Sequence, residues 1–168
     1  MPSNLLAMTS SHARFISEEL LPALESELPL TERPEDRALI GASFGAVAAL
    51  HAAWCRPGVW GGLLLQSGSF AFSDIGEHGR GPVFDPVAEF VNAFRAKPGR
   101  PVARVFQSCG IHESLIYENR SLLPLLQSTK MDVRYVEARD GHNWDNWRDR
   151  LREGLSWIFP GPLWMVYE

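Results

Sequence analysis

Apolar residues recur with two different spacings along this chain, and the two alternate. Ala38 to Ile40 and Gly62 to Gln66 are short, almost unbroken apolar runs, which read as strands buried on both faces. Val102 to Ser108 is a third strand. Val133 to Glu137 alternates Val133, Tyr135 and Glu137 against Arg134 and Val136 and is a fourth. Between and after these runs, apolar positions return every three or four residues. That spacing predicts helices over Phe44 to Trp54, Asp85 to Ala96, Glu118 to Ser128 and Trp144 to Phe159. Ahead of the first strand, Phe15, Ile16, Leu20, Leu24 and Leu28 share one face of a helix that Ser10 or Ser11 can cap, with Glu18, Glu19, Glu25 and Glu27 on the other side. Pro22 inside that pattern predicts a kink or a break. Strands alternating with helices imply an α/β fold, a mainly parallel sheet with helices on both faces.

Breakers punctuate the pattern where the elements should end. Arg56-Pro57-Gly58, Lys97-Pro98-Gly99-Arg100 and Pro160-Gly161-Pro162 are helix stops. Asp85 followed by Pro86 reads as a capped helix start, and Pro124 weakens the helix around it. Residues 70 to 86 hold Gly76, Gly79, Gly81, Pro82 and Pro86 with little periodicity, and so form a long irregular segment predicted to border a functional site. The tail Leu163-Trp164-Met165-Val166-Tyr167 is apolar enough that it must dock on something.

Composition narrows the function classes. The 168 residues are 45% hydrophobic, enough for one domain with a real core over 1–168, and no internal repeat is present. A net charge of −4 without a basic patch argues against a nucleic-acid partner. No apolar run reaches membrane-span length, and the first residues lack signal-peptide character, so no membrane partner and a cytoplasmic setting are expected. Cys55 reads as a buried helix residue and Cys109 as a strand-end residue; two cysteines make neither a disulfide framework nor a metal site. No H-E-x-x-H or clustered His/Asp set occurs, so neither a metal nor another cofactor is expected.

The chemistry centres on Gly41-Ala42-Ser43-Phe44-Gly45. A chance G-x-S-x-G in a chain of this length is about a one-in-twenty event, so the motif alone is weak. Its setting sharpens it: strand before, small-residue helix after, the context of a nucleophile elbow. Glycines 41 and 45 are expected to relieve crowding between strand and helix. Ser43 is the candidate nucleophile, and the Phe44 N–H, at the helix N-terminus, the candidate oxyanion donor.

A serine hydroxyl needs a base, and the base needs an orienting acid. His142 lies between the last strand and the last helix, where the order Ser, acid, His puts the base. His112 is the second choice. His12 and His78 lie elsewhere, and His51 is two turns into the elbow helix. Glu113 directly follows the third strand and is the candidate acid. Glu118 is its rival, although it also suits the first turn of the next helix. Asp140 is too near His142 in the chain to orient its ring. Trp144, Trp147 and Arg148 could wall and clamp a substrate. The plainer reading, which we favour, has both tryptophans packing the last helix and Arg148 paired with Asp145 or Asp149.

These residues carry a resemblance. His142-Asn143-Trp144-Asp145-Asn146-Trp147-Arg148-Asp149-Arg150-Leu151, with Gly154-Leu155 beyond, resembles the end of the enterochelin esterase branch of the α/β-hydrolase esterases. So do Gly41 to Ala46, Gln66-Ser67-Gly68-Ser69, Gly110 to Glu113 and Glu118-Asn119-Arg120. The resemblance runs from about Phe15 to Phe159. It implies a serine esterase acting on carboxylic esters, in the nearest relatives the cyclic trilactones of catecholate siderophores. Ser43 would be the nucleophile and His142 the base, with Glu113 at the acid position, although some siderophore esterases are thought to use a Ser–His pair alone. Phe44 would serve the oxyanion and Trp144 the substrate.

Family members carry further strands before residue 11, one of whose loops gives the second oxyanion N–H. This chain therefore reads as an α/β-hydrolase domain without its N-terminal strands. The elbow-strand edge of its sheet is expected to be open or to meet another chain, such as a second copy. Acyl transfer, and a non-catalytic interaction domain, are the alternatives to ester hydrolysis.

Overall fold

The computed structural model describes residues 10–73 and 79–161. His78 and the apolar tail from Leu163 lie outside the described residues. Four strands, β1 (Ala38–Ala42), β2 (Gly62–Gln66), β3 (Arg104–Gly110) and β4 (Asp132–Ala138), form one sheet in the order β1-β2-β3-β4. All three neighbouring pairs are parallel. The strands begin at the same level, with Ala38 opposite Gly62, Gly62 opposite Arg104 and Arg104 opposite Asp132. Their C-terminal ends therefore form one rim, from which the loops project.

The helices that follow the strands cover both faces. α3 (Phe44–Cys55), α4 (Asp85–Ala96) and α5 (Ile116–Ser128) share a core with Leu63, Leu65 and Val105. α6 (Trp144–Ile158) lies on the opposite face, where Ile158 meets Leu64 and Phe106. Strand side chains alternate between faces, so Leu63 and Leu65 serve one core and Leu64 the other. Every residue of β2 is buried, as a central parallel strand requires.

Several local expectations need correction. Asp85 is the first residue of α4 rather than its N-cap, a place taken by Phe84. A short 3-10 turn, Pro82–Phe84, leads into the helix instead. Cys55 is only partly buried. α5 runs through Pro124 without a break. The first helix is α1 (Ser10–Arg14), a π-helical stretch over Phe15–Leu20 and then α2 (Leu21–Glu27). Pro22 stands at the start of α2, where its missing N–H removes one α-helical bond. The wider π turn absorbs that loss.

The apolar stripe of this first segment is only partly used. Ile16 and Leu21 pack against the main core, while Phe15, Leu20, Leu24 and Leu28 are exposed. Among the described residues β1 pairs only with β2, and Ile40, in the middle of β1, is 51% exposed. The elbow-strand edge is thus open. An unpaired apolar edge is a template for association. The chain is expected to self-associate at micromolar concentration, and Ile40→Lys to shift it toward monomer, as read by light scattering coupled to size exclusion. Equal mass distributions for the two proteins would contradict this.

Candidate active site

The elbow is built where β1 passes into α3. Ser43 has φ 55° and ψ −120°, a strained backbone for a residue with a side chain. Backbone bonds hold it there: Ser43 N–H donates to Gln66 O at 2.8 Å, and Ser43 O accepts from Ala46 N–H at 3.2 Å and Ser69 N–H at 3.3 Å. Gly41 is required by this crossing, since a Cβ there would stand 2.0 Å from Gly45 O. Gly45 is not required in the same way: a Cβ on it would meet open space, so the crowding expected at both glycines is confined to Gly41. Phe44 opens α3, where the first N–H groups have no partner within the helix.

The structure brings Ser43, His142 and Glu113 together. His142 Nε2 is 3.1 Å from Ser43 Oγ, and His142 Nδ1 is 2.7 Å from Glu113 Oε2. Glu113 sits in the turn after β3 and is buried; the ring of His142, in the loop after β4, is partly exposed. Glu113 Oε1 accepts three further bonds: Ser67 Oγ at 2.6 Å, Gly110 N–H at 2.7 Å and Asn146 Nδ2 at 3.1 Å. With Oε1 so occupied, Oε2 is left to accept from Nδ1–H. Nε2 then carries no proton and accepts from the Ser43 hydroxyl.

Trp147 closes the network from behind. Its Nε1–H donates to Ser67 Oγ at 3.0 Å, and its ring meets the His142 imidazole edge-on, with centroids 5.1 Å apart. Trp147 therefore packs on this cluster rather than merely along its helix. Trp144 is 62% exposed, two residues from His142, and so lies largely in solvent rather than packed under the helix. Arg148 pairs with both Asp145 and Asp149 at 2.9 Å, as the plainer sequence reading has it. Ser67, Asn146 and Trp147 were not singled out from sequence as supports of the acid. The available signals were Gln66-Ser67-Gly68-Ser69 at a strand end and the Asn143/Asn146 pair at a helix start.

The rival candidates lie elsewhere. Glu118 binds Arg80 Nη2 at 2.6 Å, and burial raises its pKa against the pull of that guanidinium. His112 is exposed, and its backbone N–H donates to Asp140 O. His51 is buried inside α3 beside Cys55 Sγ, 3.4 Å away; burial and the nearby His12 lower its pKa. Cys109, buried one residue before Gly110, has its thiol pushed up to about 12 by burial and by the Glu113 and Glu137 charges. It is an inert thiol rather than a nucleophile. The irregular segment returns beside the elbow, where the Phe84 ring lies 5.1 Å from that of Phe44. Clefts lined by Glu35, Gly61 and Ala103 open at the N-terminal ends of β2 and β3, away from this rim. Among the described residues no group of three or more His, Cys, Asp or Glu side chains is placed to hold a metal ion, and no helix is long and apolar enough to cross a membrane.

A four-stranded parallel sheet with helices on both faces and a serine elbow on its C-terminal rim has the architecture of the α/β-hydrolase class. Residues 7–158 match the family described as "Putative esterase", and the chain belongs to that family. It is similar to the iron(III) enterobactin esterase of Escherichia coli, 27% identical over 141 residues that make up 83% of this chain and 34% of the relative. It is also similar to that of Dickeya dadantii, 26% identical over 159 residues, 87% of this chain and 34% of the relative. The chain thus spans about a third of the length of these relatives.

Among solved structures, the enterobactin esterase of Shigella flexneri, crystallised in the presence of enterobactin, superimposes with a TM-score of 0.77 at 23% identity. The overlap covers 93% of this chain and 38% of that one. A fluorophosphonate-binding serine hydrolase of Staphylococcus aureus superimposes with a TM-score of 0.64 at 15% identity, over 83% of this chain and 60% of that one. Both share the fold.

Removing the Ser67 hydroxyl unpairs one part-buried donor, Trp147 Nε1–H, and takes one bond from a buried carboxylate. Ser67→Ala is expected to lower the unfolding free energy by about 1–3 kcal/mol in urea denaturation. A midpoint within error of the parent would show that this bond does not hold the rim.

Proposed function

We propose that this protein is a serine esterase in which Ser43 is the nucleophile, His142 the general base and Glu113 the acid that orients it. The observation that carries this reading is the continuous line from Ser43 Oγ to His142 Nε2 at 3.1 Å and from His142 Nδ1 to Glu113 Oε2 at 2.7 Å. Ser43 Oγ attacks the ester carbonyl while its proton passes to Nε2. The imidazolium is held by the Glu113 carboxylate and returns that proton to the departing alcohol. Water then repeats the sequence on the acyl-enzyme and releases the acid. The Phe44 N–H, at the positive end of α3, would serve the charge that develops on the carbonyl oxygen.

For the substrate we infer an ester of the siderophore trilactone class. The two bacterial relatives named as iron(III) enterobactin esterases support this. So does Trp144, an exposed aromatic on the rim beside His142 that would stack on an aromatic acyl group. Two cysteines without a disulfide fit a reducing, cytoplasmic setting. A second copy is the partner we assign to the open β1 edge.

A chromogenic aryl ester is expected to be hydrolysed by the purified chain and not measurably by Ser43→Ala. Turnover that survives Ser43→Ala would overturn the mechanism. The acid is tested separately. Glu113→Gln is expected to lower kcat on the order of 10³- to 10⁴-fold, because an amide presents the wrong partner to Nδ1. Glu118→Gln, which keeps an acceptor for Arg80, is expected to stay within about threefold of the parent. The reverse ranking would move the acid to Glu118.

A further inference from the structure

Ser69 lies two residues beyond the support of the acid, and its hydroxyl faces the other end of the catalytic line. Ser69 Oγ is 3.3 Å from Ser43 Oγ, and the residue is buried. The direction of this bond follows from the rest of the site. Glu113 accepts from His142 Nδ1–H, so Nε2 accepts from Ser43 and the single Ser43 proton is committed. Ser43 Oγ has only lone pairs left to offer Ser69. The Ser69 hydroxyl must therefore be the donor.

We propose that Ser69 is a further catalytic residue, a donor to the nucleophilic oxygen itself. This rests on the esterase reading above. As the Ser43 proton moves to His142 Nε2, negative charge grows on Oγ, and a hydrogen bond to a charged acceptor is stronger than one to a neutral acceptor. One Oγ lone pair accepts from Ser69 while the other forms the bond to the carbonyl carbon. When the acyl-enzyme breaks down, the Oγ–carbon bond cleaves and Oγ leaves with the same support before His142 returns its proton. Ser69 thus lowers the barrier whenever charge is on Oγ, in acylation and deacylation alike.

The loop that carries Ser69 is built to hold it still. Ser69 N–H donates to Ser43 O at 3.3 Å, which ties the two serines together through the backbone. Asn119, fully buried, donates from Nδ2 to Gly68 O at 2.9 Å and is itself fixed by Gln107 Nε2. A Cβ on Gly68 would stand 2.1 Å from the ring of Phe70, which is fully buried. The turn therefore admits only glycine there and leaves Ser69 little freedom to reorient. A donor fixed before the reaction spends no reorganisation energy during it.

The test is the second-order rate at which a fluorophosphonate inactivates Ser43. In that step the Ser43 Oγ–P bond forms, the P–F bond breaks, fluoride leaves and the Oγ proton goes to His142. Ser69→Ala is expected to react about tenfold more slowly, the loss of one hydrogen bond to a developing charge. Ser69→Cys, whose thiol is a weaker donor, should fall between, and it carries the test if the alanine variant does not fold by circular dichroism. Rates within twofold of the parent for the folded variants would overturn the proposal, because a serine that only shapes the loop would leave the nucleophile unchanged. A parent chain that fluorophosphonate does not label at Ser43 would instead overturn the esterase reading and this inference with it.

Discussion

Glu113 is a carboxylate inside the protein, and four hydrogen bonds compensate its burial. They come from the turn after β2 (Ser67), the end of β3 (Gly110), the loop after β4 (His142) and the first turn of α6 (Asn146). Removing such partners from a buried charge is costly, far more than losing a surface contact. The group can be buried only if three strand ends and one helix arrive together. Through His142 the same contacts reach a fourth strand end, the elbow after β1. The C-terminal rim of the sheet is thus one connected unit, and the positions of Ser43, His142 and Glu113 are properties of that unit rather than of three separate loops.

The sheet supplies what that unit stands on. Leu63 and Leu65 lock β2 to the face carrying α3, α4 and α5, and Leu64 with Phe106 locks it to α6. Two cores of different size hold the central strands from both sides. Against that support the strained φ of Ser43, worth about 1–3 kcal/mol, is readily borne. The other side of the molecule is less finished. β1 has a partner on one side only among the described residues, and the helical segment before it shows apolar side chains to solvent. Side-chain hydrogen bonding is concentrated at the rim and apolar exposure at the edge.

Much of this was legible in the sequence. Strand–turn–helix around Ser43 and the place of His142 between the last strand and the last helix are local signals, and Glu113 follows from counting strands. The supports of the acid were not legible, because their partners are distant in the chain: Ser67 is 46 residues from Glu113, and Trp147 is 80 residues from Ser67. No periodicity records a hydrogen bond between loops. The π-helical stretch ahead of Pro22 escaped for another reason. The sequence marks a break there, but several geometries absorb a missing N–H, and tertiary packing selects among them. Gly45 shows the opposite error, a motif residue to which a steric duty was assigned that the backbone does not impose.

The protonation of one ring most directly tests the account. If Glu113 accepts from His142 Nδ1, the neutral imidazole carries its proton on Nδ1 and leaves Nε2 free to take one from Ser43. Nitrogen-15 NMR of the chain labelled at histidine, with His142→Ala to assign the signals, reads this tautomer at neutral pH. The account predicts a protonated Nδ1 and an unprotonated Nε2 in the parent, and a changed ratio in Glu113→Gln. A His142 that carries its proton on Nε2 in the parent chain would contradict it.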